Sequence, residues 1–175
     1  MAAEKFLKLV SGVITEISSD ATGGTGDGGI HENKIASLDA NGQLNVLMMP
    51  AGIGPDIATL SITETLAAGD LVNVYDSTGA KARKADASVA GKEANGFTLS
   101  GGTYPSPGTA VIYFNGLNTG VSALTPGAIY YLGTSPGLPA ATPPSSSAQV
   151  VQRVGRATAA GVLAFQPGDP ITLAT

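Results

Sequence analysis

The chain has 175 residues, a formal net charge of −4, 24 glycines, 11 prolines and no cysteine. This length can bury a core, and the absence of cysteine excludes disulfide frameworks, thiol nucleophiles and most structural zinc sites. Phosphate contacts need a basic surface, so nine scattered Lys and Arg residues argue against a nucleic-acid partner.

Helical and membrane-spanning structure is not expected. The longest stretch free of Gly and Pro is 56 to 68, and it has 13 residues, which excludes long helices. A membrane span needs an apolar run of roughly 18 residues, which the sequence lacks, and Met1 to Lys5 does not resemble a secretory signal. We expect a soluble protein made in the cytoplasm, with no membrane partner and no cofactor.

The first 55 residues are predicted to form an arm. Phe6 to Ile17 is apolar and β-branched, and Gly12 interrupts it, which favours strand over helix. Ser18 to Gly29 reads as a glycine-rich loop. Its Gly24 to Gly29 segment has the glycine spacing of a dinucleotide-binding motif. That motif requires a helix whose N-terminus faces the pyrophosphate, and the residues that follow, Ile30 to Lys34, do not have the apolar periodicity of a helix.

A hairpin and a linker complete this arm. Ile35 to Leu38 and Leu44 to Met48 flank Asn41-Gly42, the pair typical of tight hairpin turns. The segment Met48 to Pro55 is rich in Pro and Gly, so we interpret it as a linker between the arm, 1 to 55, and a β domain, 56 to 175.

The second region reads as a series of short strands separated by turn signals. Such a pattern is typical of a β-sandwich or a small β-barrel. The predicted strands are Ala58 to Thr63, Leu71 to Asp76, Ala94 to Leu99, Thr109 to Asn115, Ala128 to Gly133, Gln149 to Thr158, Val162 to Phe165 and Ile171 to Leu173. For the first of these, a short helix over Asp56 to Ala68 is the alternative.

Two segments of the β domain share a design. Leu66 to Val74 and Leu124 to Leu132 each place a glycine three positions after a leucine and then enter an apolar strand. At the same offset Gly79 falls on Gly137, and Gly108 to Phe114 aligns with 160 to 165 after a change of register. Two repeats are expected, about 56 to 116 and 117 to 175. A plain β-meander of similar composition is the alternative.

Candidate chemical sites are weak. His31, the sole histidine, lies beside the glycine-rich loop, where a rigid catalytic base is not expected. The candidate catalytic carboxylates for glycoside cleavage are Asp70, Asp76 and Asp86. The candidate ligands of a cation are Asp20, Asp27 and Glu32. Neither set has the spacing that its chemistry requires. The sequence therefore predicts a protein that is not an enzyme.

Charge is unevenly distributed along the chain. Between 100 and 175 the only charged residues are Arg153, Arg156 and Asp169, and the other 19 precede them. A weakly charged, glycine-rich surface suits packing against other copies or a larger assembly. The one basic cluster, Lys81, Arg83 and Lys84, is interpreted as a solvated strand face rather than a binding patch.

Several motifs, in order, resemble small virion proteins of tailed bacteriophages. They are 34 to 44, Met48 to Gly54, Ala68 to Val74, Arg83 to Ser88, Ala94 to Phe97, Leu124 to Leu132, Gly137 with Pro143-Pro144, and Val151 to Ala157. The resemblance covers residues 30 to 175 and implies a capsid decoration, or cement, protein that acts as a homotrimer on the major capsid protein. A tail, baseplate or fibre component, with binding of host glycans as one role, is the alternative.

The expected location is the capsid surface of the virion. The arm is too small to fold alone and is expected to pack on a neighbouring protomer or on the coat lattice. The residues predicted to make these contacts are Phe6, Leu7, Leu9, Met48, Met49, Pro143 and Pro144. The last two belong to the extended loop 139 to 147, which also reads as an ordinary exposed loop.

Overall fold

A computed structural model describes residues 5–10, 13–20, 35–36, 56–99 and 102–174, the first three ranges as backbone. The chain divides into two compact units, Met1–Pro55 and Asp56–Thr175. Within the described ranges every regular element is a strand, so the fold is mainly β, as predicted.

The first unit contains a three-stranded sheet. Strand β1 (Lys5–Val10) pairs antiparallel with β2 (Val13–Asp20), and β2 pairs in parallel with β3 (Ile35–Ala36). The apolar run therefore forms two strands, one on each side of Gly12, and the second extends through Asp20 into the region that we predicted as loop. The other strand of the expected 34 to 49 hairpin lies outside the described residues.

The second unit is built from short strands. Its strands are β4 (Ile57–Ile62), β5 (Leu66–Ala67), β6 (Leu71–Asp76), β7 (Ala80–Lys84), β8 (Gly96–Thr98), β9 (Thr103–Tyr104), β10 (Gly108–Tyr113), β11 (Gly116–Asn118), β12 (Ile129–Leu132), β13 (Pro139–Ala140), β14 (Val150–Val151), β15 (Arg153–Ala159), β16 (Val162–Phe165) and β17 (Ile171–Thr172). Two minor pairs, β5 with β9 and β14 with β17, accompany two larger sheets.

The first larger sheet is a closed barrel in the order β10-β4-β7-β6-β8. Its closure uses a parallel contact between β4 and β7, in which Ser61 and Ile62 pair with Lys81 and Ala82. The second larger sheet has the order β11-β16-β15-β12-β13 and remains open.

The two sheets share one topology. In chain order β4, β6, β7, β8 and β10 of the barrel correspond to β11, β12, β13, β15 and β16 of the open sheet, and each of the four shared pairings is antiparallel. The register agrees as well, because Gly96 pairs with Val72 in the barrel and Gly155 pairs with Tyr130 in the open sheet. The second unit is therefore a tandem pair of related β units, which we name repeat 1 and repeat 2.

The glycines from which the repeat was predicted lie in equivalent turns of the two repeats. Gly69 and Gly127 have φ of 88° and 84°, and each is the third residue of a turn closed by a backbone hydrogen bond, from Asp70 to Ala67 and from Ala128 to Thr125. A positive φ at this position is the type II geometry, which favours glycine. Gly79 and Gly137, with φ of 105° and 83°, lie in the two equivalent hairpin loops.

Two cores stabilise the second unit. The smaller core fills the barrel of repeat 1 and includes Ile62, Val72 and Ile112. The larger core joins the repeats, because Leu71 and Phe97 from the outer face of the barrel pack with the inner face of the open sheet. Phe97 lies at its centre, 1% exposed, with its ring centroid 5.3 Å from Phe165. The open sheet thus wraps around the barrel and needs no closure of its own.

Candidate interaction surfaces

The residues predicted to contact partners lie in three places. Phe6, Leu7 and Leu9 lie on β1, and Met48 and Met49 lie outside the described residues. Pro143 is exposed and Pro144 is half-buried in the segment after β13. These contacts therefore stay predictions. The segment itself is not loop throughout, since its first two residues form β13.

The three carboxylates considered for glycoside cleavage have separate structural contacts. The Asp70 carboxylate is buried, accepts a hydrogen bond from the Ala67 amide at 2.8 Å and pairs with the Lys84 ammonium at 3.2 Å. Asp76 accepts from the Gly79 amide at 3.0 Å, and Asp86 accepts from the Ser88 amide at 2.8 Å.

Strand geometry also separates two of these carboxylates. Asp70 precedes β6 and Asp76 is its last residue, so six residue steps of extended backbone, about 20 Å, separate their Cα atoms. The carboxyl pairs of glycosidases are separated by roughly 5 to 10 Å. Asp70 and Asp76 therefore do not form such a pair.

The candidate cation ligands are not gathered in the described part of the chain. Asp20 ends β2, whereas Asp27, His31 and Glu32 lie outside the described residues. Among the residues that the structure describes, no three His, Cys, Asp or Glu side chains come together as metal ligands would.

The basic cluster lies on β7, and much of it is engaged within repeat 1. The Arg83 guanidinium donates to the Asn73 side chain at 2.9 Å and to the Gly91 carbonyl at 2.7 Å, and it stacks 4.0 Å from the centre of the Tyr75 ring. Lys84 is paired with Asp70. The cluster lies on a strand, as interpreted, and it is only partly solvated, because Lys81, Arg83 and Lys84 are each half-buried.

A cleft of about 380 Å³ opens at the unclosed seam of repeat 2. On one side are Gly120 and Val121, which follow β11, and on the other are Leu138 and Pro139, at the start of β13. In repeat 1 the corresponding strands are longer and meet directly. Because β11 has three residues and β13 has two, the seam of repeat 2 does not close.

The floor of this cleft is a close backbone crossing between the repeats. A Cβ on Gly69 would lie 2.3 Å from the Gly120 carbonyl oxygen, and a Cβ on Gly120 would lie 2.4 Å from the Gly69 nitrogen. The buried Asn118 side chain fixes the crossing, since its amide donates to the Gly69 carbonyl at 2.9 Å and its carbonyl accepts from the Gly120 amide at 3.0 Å. Both glycines are required here.

The outer face of the open sheet forms the second exposed feature. The register places one row of side chains across four strands, because Leu117 pairs with Ala164, Ala164 with Arg156, and Arg156 with Ile129. Directly opposed residues share a face. Leu117 is 55% exposed and Arg156 is also exposed, while Ala164 and Ile129 are half-buried. We name these four residues the outer row of repeat 2.

Part of the same row in repeat 1 is covered. The row consists of Ile57, Tyr113, Phe97 and Leu71, paired in the same order. Leu71 and Phe97 are buried under repeat 2. Sequence reasoning missed this difference, although a signal was present: once the registers are aligned, the core aromatic Phe97 corresponds to Arg156.

Comparison with known proteins adds no relative: no protein-family model, curated protein or solved structure matches the chain. Among the described residues there is no helical segment with the length and hydropathy needed to cross a bilayer. The function is therefore argued from the sequence motifs and from the surfaces described above.

Proposed function

We propose that this protein is a non-enzymatic virion structural protein that binds the outside of a bacteriophage capsid as a homotrimer and bridges subunits of the major capsid protein. The observation that carries the proposal is the order of motifs over residues 30 to 175, which resembles small virion proteins of tailed bacteriophages. A tail, baseplate or fibre component is the competing role within the same class.

The fold of the second unit supports a scaffolding role. A decoration protein must hold its shape while contacting several neighbours, and here one core joins both repeats through Phe97. The backbone crossing at Gly69 and Gly120 locks the repeats at a second point. Repeat 2 then presents exposed surface with few charges, which suits contact with other proteins.

The first unit is proposed as the anchor. Its two apolar runs in the sequence, Phe6 to Ile17 and Leu44 to Met49, are short, so docking on the coat or on a neighbour would add to the apolar surface available for their burial. Phe6, Leu7, Leu9, Met48 and Met49 are the proposed contacts.

Deletion of residues 1 to 55 tests the anchor. The remainder contains both cores of the second unit, so we expect it to keep most of its thermal stability and to lose retention on undecorated capsids. Melting and capsid sedimentation would be measured on the same preparation. Full occupancy by the truncated protein would show that the second unit makes the contact instead.

Imaging of virions distinguishes the two structural roles. An epitope inserted between Val89 and Ala90, both exposed, would be labelled with gold-conjugated antibody. Label spread over the whole capsid supports decoration. Label focused at the tail supports the competing role, and virions without label would overturn both.

A further inference from the structure

We propose that the outer row of repeat 2 is the surface by which one copy of this chain contacts a second copy, in a head-to-tail arrangement. The inference rests on the self-association included in the proposed function and assigns it to named residues.

The first argument is that the chain already uses this face once. In repeat 1 the Leu71 and Phe97 end of the equivalent row packs under a β-sheet, with the Phe97 and Phe165 rings 5.3 Å apart in an edge-to-face contact. In repeat 2 the row has the same strand order and register but is not covered by a third repeat. The outer row of repeat 2 therefore has the strand geometry of a face that packs in repeat 1, and the composition and charge of the chain indicate what covers it.

The second argument is the composition of the row. Leu117 leaves more than half of its side chain in solvent, and Arg156 lies two strands away with Ala164 between them. Arginine with surrounding apolar side chains is typical of the core of protein interfaces. The Arg156 guanidinium already donates to the Gly127 carbonyl, which holds the side chain in place and leaves further donors for a partner's carboxylate.

The third argument is charge, and it selects the arrangement. Arg153 and Arg156 are the only basic residues after position 99, whereas the first 99 residues hold twelve acidic and seven basic residues. If two copies met through the same face, each Arg156 would approach its counterpart, and like charges repel. Contact between the outer row and the acidic part of a neighbour has complementary charge.

We name repeat 1 the acidic side, because residues 56 to 116 hold six acidic and four basic residues. Its exposed carboxylates, those of Asp56, Glu64 and Asp76, lie at separate positions, before β4, after β4 and at the end of β6. In a contact between two different surfaces, the copies at the two ends of a row each keep one unpaired surface. All surfaces are paired only when the row closes into a ring. This geometry is compatible with the expected trimer.

Light scattering on the purified full-length protein tests the inference. The wild-type chain should scatter as a multiple of 17.3 kDa, and its self-association should weaken as the salt concentration rises. Arg156→Glu should raise the dissociation constant about 30-fold or more, as expected for a central interface residue. Arg156→Lys keeps the charge and should retain much of the association.

Two further variants control for folding and for net charge. Leu117→Ser removes exposed apolar surface without changing charge, so it should weaken association while leaving the melting temperature unchanged. Lys92→Glu makes the same change of charge as Arg156→Glu on a half-buried lysine of repeat 1. It should leave association intact, because it adds to the acidic side.

Each outcome is decisive. A monomeric wild-type chain, or Arg156→Glu and Leu117→Ser variants that keep the wild-type mass, would overturn the inference. Equal loss of association in Lys92→Glu would also overturn it. If Arg156→Glu does not fold, Leu117→Ser decides alone. Retention of the wild-type chain on undecorated capsids, measured separately, reports on the proposed function, so the two can fail independently.

Discussion

Truncation of Phe97 provides the sharpest test of how the two repeats are joined. Its ring is 1% exposed, stacks on Tyr113 with centroids 5.6 Å apart and meets Phe165 edge-to-face. Phe97→Ala removes both ring contacts and leaves a cavity at the junction of the barrel and the open sheet.

The expected loss of stability can be bounded. Replacing a buried phenylalanine with alanine costs roughly 3 to 5 kcal/mol. Each aromatic pair contributes about 0.5 to 1.5 kcal/mol beyond the burial of its area. With two such pairs, Phe97→Ala should reduce the free energy of unfolding by about 4 kcal/mol, a large share of the roughly 5 to 15 kcal/mol typical of a domain.

The repeat supplies a matched control at the equivalent position. Arg156 occupies the place of Phe97 in repeat 2 but is exposed, so at a protein concentration at which the chain is monomeric Arg156→Ala should cost no more than about 1 kcal/mol, the scale of its hydrogen bond to the Gly127 backbone. Urea unfolding followed by circular dichroism and by tyrosine fluorescence gives both free energies.

The same experiment tests cooperativity. Because one core spans both repeats, the two probes should report a single coincident transition in the wild-type chain. A loss below about 1 kcal/mol for Phe97→Ala would refute the central role of this ring. Separate transitions for the barrel and the open sheet would refute the shared core.

Three further changes have defined outcomes. Gly155→Ala should reduce the free energy of unfolding by roughly 1 to 3 kcal/mol and so lower the urea midpoint, because its Cβ would lie 2.1 Å from the Ala164 carbonyl oxygen. An unchanged midpoint would contradict the close spacing of these two strands. Gln152→Ala should reduce the free energy of thermal unfolding by about 1 to 3 kcal/mol. The buried Gln152 side chain accepts a hydrogen bond from the Ala94 amide at 2.7 Å and donates one to the Ala94 carbonyl at 3.0 Å. A variant with full stability would refute the contribution of these two hydrogen bonds. Ser147 is the second residue of a turn closed by the hydrogen bond from the Gln149 amide to the Ser146 carbonyl, with Ala148 at a φ of 62°. Proline suits the second position of a type II turn, so Ser147→Pro should leave the melting temperature equal or higher, and a fall would argue against that turn.

The sequence predicted the longer strands of the second unit well. Val162 to Phe165 and Leu71 to Asp76 match β16 and β6, because four or more apolar or alternating residues between turn signals carry a detectable pattern. Strands such as β5, β9 and β13 have two residues each, and no periodicity exists over that length. Their pairing depends on the tertiary structure.

Strand β7 was not in the series of predicted strands, although its basic cluster was interpreted as a strand face, and the reason is a different one. Its sequence, Ala-Lys-Ala-Arg-Lys, lacks β-branched and aromatic residues, so propensity does not favour a strand. Its neighbours stabilise it instead: Ala82 enters the barrel core, and Arg83 packs on Tyr75. These contacts depend on residues that the sequence cannot bring together without the fold.

The two repeats could be predicted from the positions of their glycines, because the geometry of a turn depends on a few consecutive residues. Gly69 and Gly127 are needed wherever a type II turn enters a strand, so the spacing of the turns persists in the sequence. Burial is not local. Whether the outer row becomes core, as at Phe97, or surface, as at Arg156, depends on what packs against it.

Different closure of the two sheets follows from this difference in burial. In repeat 1 the barrel interior is filled by its own side chains, such as Ile62 and Ile112, and pairing of β4 with β7 excludes water from them. In repeat 2 the inner face is already covered by the outer face of repeat 1, so pairing of β11 with β13 would exclude water from little additional apolar surface. Long strands at the two edges of the open sheet would therefore add little stability. The proline in β13 is tolerated because the outer side of an edge strand needs no amide donor. The seam cleft is therefore the expected result of packing one copy of a barrel-forming unit onto another.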